Sequence, residues 1–295
     1  MNSEARPLVT VIIASYNHAP YIEKSILSVL GQTYSNIELL VVDDGSSDES
    51  VEIINGLQKK YGFDFKVQKN KGLTFTLNEA IERAKGSLIA PFGSDDIMLP
   101  DRLATQVAYM EDKPEVGICA GNIELIDSEG NLFPEKRQNR NVAFRRLDFE
   151  DMFLERKPYP PAPTLLIRRE ALQKVGGFDP NIRLEDLLIE LKVTRAGYFI
   201  DGLNKVMAQY RKHETNSYKN HRFMVNAVLD TYELFSDHPL YEDVKYKFLN
   251  SMFLKTSNRD RILAREILAQ IPFARWTRKT WRGIGRLFFS PIDKK

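Results

Sequence analysis

The chain repeats one rhythm four times: an unbroken apolar run, a knot of small and polar residues, then apolar positions three and four apart. Residues 8–14 are apolar or β-branched, Ser15-Tyr16-Asn17 breaks the run, and Ile22, Ile26, Val29 and Leu30 follow at helical spacing. That pattern predicts strand, loop, helix. A second unit has residues 37–42, the turn Asp43-Asp44-Gly45-Ser46-Ser47 and a helix over about 48–61. The third has residues 63–68, the loop Lys69-Asn70-Lys71-Gly72, and Leu73, Leu77, Ala80, Ile81 and Ala84 on one helix face. In the fourth, residues 87–92 run into Gly93-Ser94-Asp95-Asp96, and Leu103, Val107 and Met110 mark the helix behind. Unbroken apolar strands alternating with amphipathic helices predict an α/β fold, a mostly parallel sheet covered on both faces.

The regularity dissolves over residues 126–146, a polar stretch carrying Lys136, Arg137, Arg140, Arg145 and Arg146. Connections of that length are lids, binding segments or linkers. The pattern resumes with a strand-like 164–167, the turn Gly176-Gly177-Phe178-Asp179, a helix over about 185–196 and a strand-like 198–210. After Asn220 only helical spacing remains, in Met224, Val228 and Phe235, then Val244, Phe248 and Leu249, then Ile262, Ile267, Leu268 and Ile271. The expected division is a domain over 1–218, with halves at about 7–126 and 147–218, followed by a helical region over 219–295.

At 295 residues and 43% hydrophobic, the chain has enough apolar surface for a substantial core. Its one cysteine, Cys119, sits in an apolar run and reads as a small buried hydrophobe. No intrachain disulfide is available, which fits a reducing cytoplasm. The apolar run 8–14 is too short to span a bilayer and has no basic lead, so neither a signal peptide nor a membrane span is expected.

The chemistry gathers at strand ends. Asp95 and Asp96 leave a buried strand side by side, and unpaired buried charge is costly, so they call for a cation. Hard oxygen ligands at the carboxyl end of such a sheet suit Mg²⁺ or Mn²⁺ bridged to phosphates. A solvated turn or a cap for the helix after Pro100-Asp101 is the plainer alternative. All four strands end in small or polar residues, and in a doubly wound sheet those ends converge on one rim. The spaced glycines of a dinucleotide site and a Walker-type loop are both missing after the first strand, which argues against NAD and against ATP hydrolysis.

In order, the residues from Val9 to Asn17, Val41-Val42-Asp43-Asp44-Gly45-Ser46, Asn70-Lys71-Gly72 and Asp95-Asp96 resemble a family 2 glycosyltransferase with the GT-A fold, inverting and of bacterial surface-polysaccharide type. The resemblance implies a Rossmann-like, mostly parallel sheet flanked by helices, with a C-terminal helical extension. It implies a nucleotide-sugar site of Ala14, Ser15, Tyr16, Asn17, Asp44, Lys69, Asn70, Gly72, Ser94 and Asp95, in which Ala14 and Tyr16 line the base pocket and Asp44 holds the base. It implies a divalent metal, Mn²⁺ or Mg²⁺, on Asp96 and His213. Ser94 stands where the family's acid-any-acid motif has its first acid. Asp186, at a predicted helix start beside Glu185, is implied as the catalytic base, although acids are common in any first helical turn. Arg211, with Lys212, is placed to offset phosphate charge, and the proline-rich 158–163 is an acceptor wall or a rigid connector.

Toward the end, Phe273, Trp276, Trp281, Ile284, Leu287 and Phe288 fall on one side of a helix over about 272–289, and Arg275, Arg278, Lys279, Arg282 and Arg286 on the other. This is the composition of a helix lying in an anionic membrane interface. Packing on the chain's own core or on a second subunit is the alternative. The expectation is therefore a transfer of sugar, from a UDP-sugar by family frequency, to a lipid-linked glycan at the inner face of the membrane, with no nucleic acid partner. An oligomer is left open. A sugar-phosphate nucleotidyltransferase would carry a glycine-rich basic loop that Ser15-Tyr16-Asn17-His18 lacks, and a silent nucleotide-sugar binder would not need intact Asp44, Asp96 and Asp186.

Overall fold

A computed structural model describes residues 6–138, 141–214 and 216–289. Two compact units divide between His213 and Glu214, a few residues before the expected change near 218.

The first unit runs β1 (Val9–Ser15), α1 (Ala19–Leu30), β2 (Ile37–Asp43), α2 (Ser50–Tyr61), β3 (Asp64–Val67), α3 (Leu73–Arg83), β4 (Leu88–Gly93), β5 (Ile97–Met98), α4 (Arg102–Met110), β6 (Val116–Ile126), β7 (Arg145–Leu147), α5 (Phe149–Phe153), β8 (Leu166–Arg168), α6 (Arg169–Lys174), α7 (Glu185–Arg195) and β9 (Phe199–Arg211). Among the described residues these make a nine-stranded sheet in the order β3-β2-β1-β4-β8-β6-β9-β5, with β7 on β9. β1 pairs in parallel with β2 and β4, and β2 with β3. The short β8 is antiparallel to both β4 and β6, which lets β6 and β9 run with the first four. Six of the nine strands thus run the same way, but β5 and β7 are antiparallel to β9, so four of the eight pairings are antiparallel and the sheet is mixed rather than the mostly parallel one expected. Val9, Val11, Ile12 and Ile13 of β1 have no exposed surface, and burying each such side chain contributes about 1.5–3 kcal/mol. Cys119 is buried in β6, as expected, and burial pushes its thiol up to about 12.

The polar stretch 126–146 is partly structural. β7 joins the sheet antiparallel to β9. Arg145 is buried and donates to the Pro158 and Tyr159 carbonyls, and Arg146 pairs with the buried Asp201 at 2.7 Å. A guanidinium can enter a fold when carbonyls and a carboxylate receive its donors, and hydrophobic patterning does not reveal that. Lys136 and Arg137 lie in a 3₁₀ turn, and Arg140 lies outside the described residues.

The second unit is helical: α8 (His221–Glu233), α9 (Tyr241–Thr256), α10 (Arg261–Ala269) and α11 (Arg278–Phe289). Asn220 and Asp260 cap α8 and α10 through their side-chain oxygens. Val225, Leu249, Phe253, Leu263, Ile267 and Leu287 form its core. The apolar side expected for the last helix is divided. Leu287, Ile284 and Trp276 pack on the unit's own core, while Phe273, Trp281 and Phe288 stay exposed. Gly283 makes the close packing feasible, since a Cβ there would lie 2.5 Å from the Phe253 ring.

Candidate active site

Loops lace the sheet's carboxyl rim together. Asn17 adopts a left-handed conformation (φ 54°), which Asn tolerates better than most residues. Its amide donates to Ser46 Oγ at 2.8 Å, and its Oδ1 accepts from the Ser47 amide at 2.8 Å. The next two amides are held the same way, His18 N donating to Ser50 Oγ at 3.1 Å and Ala19 N to Asp48 Oδ2 at 3.0 Å. His18 is thereby fixed at the start of α1, with its Nδ1 2.6 Å from Ser94 Oγ at the end of β4.

Asp44 shapes the neighbouring loop. Its Oδ1 accepts from Gln68 Nε2 at 2.8 Å and the Lys71 amide at 2.9 Å, and its Oδ2 from the Gly72 amide at 2.8 Å. Gly72 sits at φ 89°, where a side chain would be strained. Lys69, Asn70 and Tyr16 are exposed on this rim, and Ser15 is buried.

β4 delivers the acids. A Cβ on Gly93 would lie 2.9 Å from both Asp95 Oδ1 and Asp96 Oδ2, so the two carboxylates fold back over it. They then part. Asp96 is buried and its Oδ1 accepts the Arg211 amide at 2.8 Å, while burial and then the Asp95 charge push its pKa well above the ordinary range. Asp95 Oδ2 lies 2.8 Å from His213 Nε2. His18, Asp95 and His213 each present one ligand atom, all within 4.8 Å of one another. Two imidazole nitrogens and a carboxylate oxygen form a donor set that fits a divalent ion such as Mn²⁺. Burial holds the His18 pKa below its ordinary value, so the ring is neutral near pH 7, the form that ligates metal. Asp95 is the acid of this cluster, while Asp96, the acid expected to hold the metal, lends one oxygen to the β9 backbone. Arg211, expected to offset phosphate charge, lies beside the same loop. It is buried, donating from Nε to the Asp95 carbonyl at 2.7 Å and from Nη1 to the Asp127 carbonyl at 3.0 Å, and it braces the acid loop.

The second group of acids begins α7. Asp186 Oδ1 accepts the Leu187 amide at 2.8 Å, which orients the carboxyl. Burial raises the Asp186 pKa, and burial followed by the Asp186 charge pushes Glu185 up to about 8. The pair therefore retains a proton into the neutral range, leaving one carboxylate to accept a proton and one carboxyl to donate a hydrogen bond. His18, Ser94, Asp95, Asp96, Glu185 and Asp186 all line one pocket of about 260 Å³, which Ala14 and Tyr210 also border. Its walls include the apolar Leu73, Leu77, Pro163, Phe178 and Ile189. The Pro163 wall is fixed from behind, because the buried Arg102 donates to the Pro163 carbonyl at 2.6 Å and the Leu165 carbonyl at 2.8 Å.

Of the residues expected from sequence, Ala14, Ser94, Asp95, Asp96, Glu185 and Asp186 line the pocket, and His213 joins it through Asp95. Ser15, Tyr16, Asn17, Asp44, Lys69, Asn70, Gly72 and Arg211 do not line it. Sequence reasoning missed His18 and Tyr210. The signal for His18 was its place directly after the Ser15-Tyr16-Asn17 break.

A family model described as glycosyl transferase family 2 matches residues 10–176, more than half of the chain. The chain belongs to glycosyl transferase family 2. This family 2 glycosyltransferase is 33% identical over 202 residues to an uncharacterized glycosyltransferase of Haemophilus influenzae, covering 68% of the chain and 73% of that relative. It is 30% identical over 220 residues to the O-antigen biosynthesis glycosyltransferase WbnJ of Escherichia coli, covering 72% and 83%. Its structure is similar to that of the mannosyltransferase PcManGT from Pyrobaculum calidifontis in complex with GDP-Man and Mn²⁺, with a TM-score of 0.65 at 18% identity, over 99% of this chain and 89% of that one. At that identity the likeness shows the fold, GT-A, as expected for a family 2 glycosyltransferase.

Proposed function

We propose that this glycosyltransferase moves a sugar, with inversion, from a nucleotide-diphosphate donor, a UDP-sugar first, to a hydroxyl of a lipid-linked glycan. The product would extend a bacterial surface polysaccharide such as O-antigen, capsule or exopolysaccharide, a setting supported by the relative WbnJ. One observation carries the reading: a cation-ready cluster and a proton-sharing acid pair border the same pocket. His18, Asp95 and His213 would hold Mn²⁺ or Mg²⁺, which when bound supplies positive charge against the leaving diphosphate. Asp186 takes the proton of the acceptor hydroxyl as the oxygen–anomeric carbon bond forms and the bond to diphosphate breaks. Glu185, still protonated at neutral pH, offers a hydrogen bond beside it. Asp44 shapes the rim at which the base would sit, through the turn at Lys71 and Gly72. No helix among the described residues is long and apolar enough to cross a membrane. We assign contact with the inner membrane face to the exposed rings of the C-terminal segment, because five basic side chains accompany them.

The test is a thermal-shift screen of UDP-, GDP- and dTDP-sugars with and without Mn²⁺, since a ligand bound by the native state alone raises the midpoint. One nucleotide sugar should raise it with Mn²⁺. Asp186→Asn should keep that shift and lose about 10²–10⁴ in transfer rate. A midpoint that no nucleotide sugar moves refutes the donor site, and wild-type transfer by the variant refutes the base.

A further inference from the structure

The C-terminal unit contains a cavity of about 540 Å³ that has no residue in common with the catalytic pocket. It lies between α9 and the segment entering α11, where Lys247, Arg275, Arg278 and Lys279 set four cations at its walls against one carboxylate, Asp243. Arg275 pairs with Asp243 at 2.6 Å and Lys279 donates to Ser251 Oγ at 2.6 Å, so both cations are held in place. Residues 272–289 carry five basic side chains and no acid. The same segment exposes Phe273, Trp281 and Phe288, at 73%, 57% and 63%.

Cations converging on a cavity favour a phosphate oxyanion, which accepts charge-assisted hydrogen bonds from Arg and Lys. Large exposed rings beside it favour a bilayer as the source of that phosphate, because aromatic side chains settle at headgroup depth while cations meet anionic lipid. Trp276 meets both Phe273 and Trp281, with ring centroids 5.0 and 5.2 Å away, so these rings form one aromatic group at the cavity. We propose that the cavity receives the phosphate of an anionic glycerophospholipid headgroup while Phe273, Trp281 and Phe288 enter the interface around it. The inference rests on the reading of α11 as a membrane-interface helix and adds a defined headgroup site to it.

The chain's two tryptophans make the test local. Trp276 lines the cavity and Trp281 is one of the exposed rings. In full-length Trp281→Phe, Trp276 is the sole emitter. Vesicles of phosphatidylcholine with phosphatidylglycerol, doped with a headgroup-nitroxide phospholipid, should quench Trp276. The pair Lys247→Gln with Arg278→Gln should weaken wild-type vesicle binding about 30-fold. Lys255→Gln with Arg265→Gln, exposed cations outside both the cavity and the 272–289 segment, removes the same charge and should weaken it by no more than about fivefold. Vesicle binding without Trp276 quenching, or equal loss in the two pairs, overturns the headgroup site and leaves membrane docking standing. No binding to phosphatidylglycerol vesicles overturns both. Equal occupancy by inorganic phosphate alone, or displacement from vesicles by an RNA oligonucleotide, overturns the choice of a lipid headgroup. Donor binding is measured separately from all of these outcomes, so the catalytic reading stands or falls on its own test.

Discussion

Replacing Glu185 by Gln should stabilise the N-terminal unit by an amount that grows as pH rises from about 4.5 to about 8. In the fold this carboxyl has a pKa of about 8 against 4.5 for the free side chain, with burial the largest cause and the Asp186 charge the next. A carboxyl raised in this way binds its proton more tightly in the native state. The associated stability is complete below about pH 4.5 and is lost as pH rises through about 8. Within that window the slope is about 1.4 kcal/mol per pH unit, which would sum to several kcal/mol. Glu185 lines an open pocket and keeps part of its surface in water, so screening reduces the loss to about 2–3 kcal/mol. Gln cannot ionise and escapes it. For a unit of this size the gain is worth about 5–10 °C in Tm. Calorimetry is the assay, because Trp276 and Trp281 both lie in the other unit and their fluorescence does not report on this one. At about pH 5 the variant and wild type should melt together, and at about pH 9 the variant should melt higher by that margin. A difference that does not change with pH refutes the half-buried acid pair that keeps a proton into the neutral range.

Two further outcomes follow from packing around the pocket. Gly93→Ala places a methyl 2.9 Å from both Asp95 Oδ1 and Asp96 Oδ2, so Mn²⁺ affinity by calorimetric titration should fall about tenfold or more. An unchanged Kd would mean the acids do not fold back over that glycine. Arg102→Leu leaves the buried Pro163 and Leu165 carbonyls without their donor, at about 1–3 kcal/mol each. The N-terminal unit should melt lower and acceptor KM should rise, whereas an unchanged Tm would show that the wall is held by other contacts.

The four strand–loop–helix units were legible because their signals are local. β1, β2 and β4 read as apolar runs closed by Ser15, Asp43 and Gly93, and a parallel sheet then sends every such end to one rim. The pairing of β7 with β9 was not legible, because three residues with two arginines among them resemble a solvated loop until Asp201 and the Pro158 and Tyr159 carbonyls are brought to them. The last helix shows the same limit. Its apolar residues were evident from spacing, yet which of them meet the core depended on Phe253 lying against Gly283.

What the sequence by itself determined was the order of elements, the rim on which the polar residues collect, and the acids that could serve there, since each follows from periodicity and breakers along a short stretch of chain. What only the tertiary structure decided was which neighbour in each pair takes which part. It turned Asp95 toward His18 and His213 and gave Asp96 to the Arg211 amide, and it buried Glu185 and Asp186 far enough to share a proton. Those assignments depend on distances of about 3 Å and on burial between segments up to about 200 residues apart, quantities that exist only once the chain has closed on itself.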